Sequence, residues 1–77
     1  MRFARLKVGW VTFQGPPVDG YPNGMGSPPK GTIVENTGNR TGTTYRWVVM
    51  GGKFKGWTAQ VGDLHMEEIS VLDLLIE

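Results

Sequence analysis

The stretch TTYRWVVM, Thr43 to Met50, alternates between two kinds of side chain without a break. In an extended chain Tyr45, Trp47 and Val49 fall on one face and Thr44, Arg46, Val48 and Met50 on the other, because successive side chains of a strand point to opposite sides. A helix would scatter the first set around its circumference. β-branched and aromatic residues also fit a pleated, half-buried surface well. The segment predicts a strand whose Tyr45, Trp47 and Val49 face a core, with Arg46 facing out.

Three further segments carry the same composition, each bounded by Gly, Pro or Asn: KVGWVTF (Lys7 to Phe13), GTIVENT (Gly31 to Thr37) and FKGWTAQV (Phe54 to Val61). TGNRTG, Thr37 to Gly42, offers glycines and an asparagine for left-handed turn positions, and MGGK, Met50 to Lys53, is a short Gly-Gly hairpin signal. The last three strands should therefore form an antiparallel meander. Gly56, inside the fourth strand, predicts a bulge or sharp bend. Gly62, Asp63 and Leu64 then read as a tight turn, and HMEEI, His65 to Ile69, as a short closing strand. The expected fold class is all-β, with about five antiparallel strands in one domain over residues 1–77. Its core spans residues 7–69, and residues 70–77 form an acidic, apolar tail. Met66, Ile69, Leu72, Leu75 and Ile76 follow helical spacing there, while Ile69 and Val71 suit a strand. Both readings of the tail stay open.

The longest connection is GPPVDGYPNGMGSPPKG, Gly15 to Gly31, with all five prolines of the chain. It lacks the Gly-Lys-Ser/Thr ending of a phosphate-cradling loop, and SPPKG cannot begin the helix such a loop needs. The strands on either side are too few to fold alone, so they must meet across it. Its prolines restrict the unfolded chain and lower the entropy cost of ordering it, and Val18, Tyr21 and Met25 can anchor it. We read it as a long ordered first loop.

Composition narrows the class further. The apolar fraction of 39% implies a thin core, since globular domains run near 45–50% with glycine included. Three Trp, three Phe and two Tyr compensate by burying large areas. A chain of this size removes only about 60% of its unfolded surface from water, so self-association would help it. With no cysteine, disulfides and thiolate metal sites are excluded. A small secreted domain usually carries bridges, and MRFARLKVGW has no continuous apolar run of the signal-peptide kind. The expected compartment is the cytoplasm. No apolar stretch approaches the roughly 20 residues that span a bilayer, so no membrane partner is expected. Charge is divided along the chain. All eight Lys and Arg, against only Asp19 and Glu35, give +6 over residues 1–62, and five acids give −5 beyond, for a net +1. A basic body with an acidic tail fits nucleic-acid affinity, self-association through the tail, or a tail folded back on the body.

The sequence of elements GWVTFQGPP, a long loop, GTIVE, YRWVV, a Gly-Gly hairpin, GWTAQV and GDLHMEEI resembles an SH3-like small β-barrel over about Lys7 to Ile69. Within that class the Gly-x-Val strand, the Gly-Pro after it and the returning GTIV are similar to KOW and Tudor-type barrels. That resemblance implies binding to RNA, ribosomal partners or modified peptides, with the long first loop bordering the ligand groove. GTIV, TTYRWVV and GDLHMEEI are also similar to elements of the plasmid-encoded type II dihydrofolate reductase. Its active pore uses a Val-Gln-Ile-Tyr run, and Ala59-Gln60-Val61-Gly62 shares only Gln60 with it. The second resemblance implies the fold and speaks against the oxidoreductase activity.

For catalysis the inventory is poor: one histidine, His65, and no Ser-His-acid arrangement. Glu67 and Glu68 are adjacent and would face opposite ways on a strand. No enzyme, metal or cofactor is expected. Basic residues interleaved with aromatics give the leading candidate site: Arg40, Arg46, Lys53 and Lys55, with Trp10 or Trp57 to stack on bases and Tyr21 on the long loop. The expected function is a non-enzymatic binding or adaptor module with a nucleic-acid ligand. The alternative is a protein-interaction or assembly accessory protein, of phage or mobile-element type, acting through the proline loop or the tail. Ile69, Val71, Leu72, Leu75 and Ile76 are its candidate interface, and pairing of the tail as an edge strand would give a homodimer.

Overall fold

The alternation at Thr43 to Met50 becomes a strand in which Trp47 and Val49 are buried while Thr44, Arg46 and Val48 are half covered. Around it the computed structural model describes residues 2–70 and 72. The strands are β1 (Phe3–Leu6), β2 (Phe13–Gln14), β3 (Met25–Gly26), β4 (Ile33–Thr41), β5 (Thr44–Val49), β6 (Thr58–Gly62) and β7 (Met66–Ile69), with a 3-10 turn at Asp63–His65 before the last. All pair antiparallel in one sheet of order β3-β2-β6-β5-β4-β1-β7, which does not close on itself. The fold is all-β.

The meander stands as the composition predicts. β5 pairs with β4 on one side and β6 on the other, and Trp47 sits in register with Asn36 and Ala59. Its indole N–H donates to the Val61 carbonyl at 3.2 Å, so the ring is buried without an orphaned donor. β4 runs on to Thr41 through a register shift between Asn36 and Arg40, which leaves Gly42 and Thr43 as the tip of the hairpin.

The strand count among the described residues is seven rather than about five, and the first strand is Phe3–Leu6, outside the expected core of residues 7–69. Ala4 and Leu6 are buried from β1, which is hydrogen-bonded on both sides, by β4 and β7. FARL hides this because it is short and its inward residues are only a small Ala and one Leu. Lys7 to Thr12 has better strand composition yet enters no ladder, and only Phe13 of that segment begins a strand, β2. Propensity describes fit to a pleated surface, and a partner strand must still be present.

The join of β5 to β6 is corrected as well. The sequence predicts a tight Gly-Gly hairpin with a strand from Phe54, whereas residues 50–57 form a corner and β6 starts at Thr58. The Val49 N–H donates to the Trp57 carbonyl, the Gly56 N–H to the Val49 carbonyl and the Trp57 N–H to the Phe54 carbonyl, all at 2.9 Å. Gly56 makes the bend with φ of 88°. Phe54 and Trp57 are buried from this corner rather than from a strand. Each contributes about 1.5–3 kcal/mol of burial, which a thin core needs.

Gly15 to Gly31 is shaped by contacts to that corner. Val18 and Tyr21 form an isolated bridge, the Gly15 N–H donates to the Gly24 carbonyl at 2.9 Å, and β3 pairs back on β2. The Trp57 indole N–H donates to the Pro16 carbonyl at 2.9 Å. A Cβ on Gly15 would overlap the Trp57 ring, and one on Gly24, at φ of 69°, would overlap the Gly15 carbonyl oxygen. Glycine at these positions lets backbone and indole meet.

Candidate functional site

The four cations singled out from the sequence do not form one patch. Arg40 stands opposite Tyr45 near the start of β5, with its Nε donating to the Gly42 carbonyl at 2.7 Å and its guanidinium 6.0 Å from the Tyr45 ring centroid. Lys53 and Lys55 lie in the corner beyond the other end of β5, about 16 Å away at roughly 3.3 Å per residue. Arg46, one residue on from Tyr45, donates to the Thr58 hydroxyl at 3.0 Å. The expected basic cluster is thus strung along β5.

Trp57 is a correction: it is wholly buried and offers no face to a base. Its ring packs edge-on with Phe54 at 4.9 Å and with Tyr21 at 6.0 Å between centroids. Tyr21 also meets Phe54 at 5.0 Å, and the Lys53 ammonium lies 5.2 Å from its ring. These contacts make Tyr21 the clamp between the long loop and the corner. Ile69 is likewise corrected from interface to core, being buried in register with Phe3. Leu72 is exposed, and Val71, Leu75 and Ile76 lie outside the described residues. Gln60, shared with the reductase pore, donates its amide to the Thr44 carbonyl at 3.4 Å.

Trp10 alone of the chosen aromatics is open to solvent, 64% exposed. It packs edge-on against His65, with centroids 4.8 Å apart and planes at 76°. A groove of about 400 Å³ is lined by Arg5, Leu6, Lys7, Lys30, Gly31 and Glu67, and Lys7 ties it to this pair through its N–H on the His65 carbonyl. Four backbone hydrogen bonds assemble it. The Leu6 N–H donates to the Thr32 carbonyl at 2.9 Å and the Gly31 N–H to the Leu6 carbonyl at 2.8 Å. The Lys7 N–H donates to the His65 carbonyl at 3.0 Å, and the Thr32 N–H to the Pro29 carbonyl at 3.1 Å. Lys7 and Lys30, the two ends of the connection between β1 and β4, are thereby brought to one rim. Gly9 closes on the same rim, since a Cβ there would sit 3.5 Å from the Lys30 backbone nitrogen. Arg5 stands in register with Glu67 across the β1–β7 pair.

Sequence reasoning misses Arg5, Lys7 and Lys30. The signal is present as RLK, Arg5 to Lys7, with Arg5 on β1 and Lys7 just past its end. It is legible only once β1 is placed at Phe3–Leu6. Among the described residues no cluster of three or more His, Cys, Asp or Glu could hold a metal ion, and no helix is long and apolar enough to cross a membrane. Comparison with protein-family models, with curated proteins and with solved structures gave no match.

Proposed function

We propose that this chain is a small non-enzymatic binding module, built as an SH3-like barrel, whose ligand is a nucleic-acid strand. The barrel reading is supported by the strand order: β1 lies between β4 and β7, a long connection separates it from the β4–β5–β6 meander, and a 3-10 turn precedes the last strand. The ligand reading rests on one observation. Trp10 stands 64% exposed and packs on His65, whose carbonyl accepts the N–H of Lys7, one of three cations lining a groove, while Trp47 and Trp57 are at 0%. An indole left in water contributes little to the fold, whereas next to cations it can stack on a base whose phosphates they neutralise.

The test is an equilibrium titration with a labelled oligonucleotide at low and moderate salt. Affinity should fall steeply as salt rises, because binding releases counterions from the phosphates. Binding that is absent, or indifferent to salt, would contradict the proposal. A second reading, a protein-interaction module acting through the chain end, is favoured by Leu64 at 79% and Leu72 at 73% exposure. It expects removal of residues 70–77 to abolish capture of a protein partner and leave oligonucleotide binding unchanged.

A further inference from the structure

We infer that the nucleic-acid strand lies in the groove between β1 and the returning end of the first loop, with Lys7 and Lys30 on its phosphates and Trp10 stacked on a base. This rests on the nucleic-acid reading above and adds the place, the residues and the strandedness of the ligand. Lys7 and Lys30 are exposed residues from opposite ends of one connection, held at one rim by the backbone bonds of Leu6, Lys7 and Gly31. Arg5 lines the same groove, in register with Glu67. Glu67 offsets one charge, so three cations less one carboxylate leave the lining at +2. Compact ammonium groups on flexible stems suit phosphates presented at varied angles.

The shape selects among nucleic acids. A duplex is read by a convex element entering a groove of the nucleic acid, whereas this site is itself concave. Its volume of about 400 Å³ falls at the small end of ligand sites, roughly 300–1,000 Å³, a size for a nucleotide or two and not for a double helix. An unpaired strand can also turn a base out to meet an indole, as a paired one cannot without unstacking. Trp10 is suited to that role, because its edge-on packing with His65 fixes the ring while leaving most of it in solvent. Lys53 and Lys55, by contrast, flank an aromatic cluster whose rings are turned on one another.

Two double variants of the full chain decide the matter, Lys7→Gln with Lys30→Gln and Lys53→Gln with Lys55→Gln. Both remove exposed lysines, and far-ultraviolet circular dichroism checks that each stays folded. The probe is labelled oligothymidylate of about ten nucleotides, within the range one small barrel covers, read by fluorescence anisotropy at several salt concentrations. The groove variant should bind about tenfold or more weakly, and its salt slope should shrink by about 1.4, near 0.7 for each phosphate that is no longer neutralised. The corner variant should stay within about twofold of the parent. Parent-like binding by the groove variant, an equal loss in the corner variant, or tighter binding of a duplex of the same length would overturn the groove and leave the nucleic-acid reading standing. If the parent shows no salt-sensitive binding, both fall together.

Discussion

The two margins of the sheet each carry a tryptophan, and the two residues are used in opposite ways. At the β2–β3 margin Trp57 is sealed: its ring meets Phe54 and Tyr21, its N–H is given to Pro16, and Gly15 has no side chain so that the ring can lie against the backbone. At the β1–β7 margin Trp10 touches His65 by an edge and otherwise faces solvent, and the His65 carbonyl holds Lys7 of the cation-lined groove. The residue type is the same. What differs is whether its neighbours supply apolar area and a hydrogen-bond acceptor, or charge and space. A core this thin cannot leave an indole outside without forgoing burial, which is why the exposed one points to a ligand.

The contrast can be broken by mutation, most severely at the sealed margin. Trp57→Ala should cost about 3–5 kcal/mol in chemical denaturation, a large share of the roughly 5–15 kcal/mol that holds a small domain together. A loss below about 1 kcal/mol would show that the corner contributes little to the core. Gly24→Ala should cost about 2 kcal/mol, since a side chain at that left-handed position meets the Gly15 carbonyl. Tyr21→Ala should cost about 1.5 kcal/mol by removing the ring that packs on Phe54 and Trp57, and Tyr21→Phe, which keeps that ring, should be close to the parent in thermal melts. At the open margin Trp10→Ala should change stability by less than about 0.5 kcal/mol while weakening oligonucleotide binding by about fivefold to a hundredfold. A destabilisation comparable to that of Trp57→Ala would make Trp10 a structural residue and remove the contrast.

How much of this can be read from the residues follows the same division. Thr43 to Met50 declares itself because its alternation is unbroken and its inward residues are large, so the meander and the buried Trp47 are legible. β1 is not, because Ala4 is small and the segment is only four residues long, and its place between β4 and β7 is decided by partners more than 25 residues away. The corner at residues 50–57 misleads for a related reason. Phe54 and Trp57 have strand-like composition, yet they reach the core from a bend whose hydrogen bonds are local. The groove depends on the first of these. With the first strand placed at Lys7, Arg5 falls outside the domain core and Lys7 becomes an ordinary strand end, and nothing in the sequence pairs Lys7 with Lys30. The four cations that are legible share proximity in sequence, which β5 then spreads along its length.

The most direct test uses the fact that the three indoles stand in three environments. In a ¹H–¹⁵N spectrum the side-chain N–H of Trp47 is bonded to the Val61 carbonyl, that of Trp57 to the Pro16 carbonyl, and Trp10 is the exposed one. On titration with oligothymidylate the Trp10 indole signal should shift progressively, together with the backbone amides of Leu6, Lys7 and Gly31, while the Trp47 and Trp57 indole signals hold still. Saturating oligonucleotide that leaves Trp10 unmoved, or that moves Trp57 and the corner amides instead, would contradict the account.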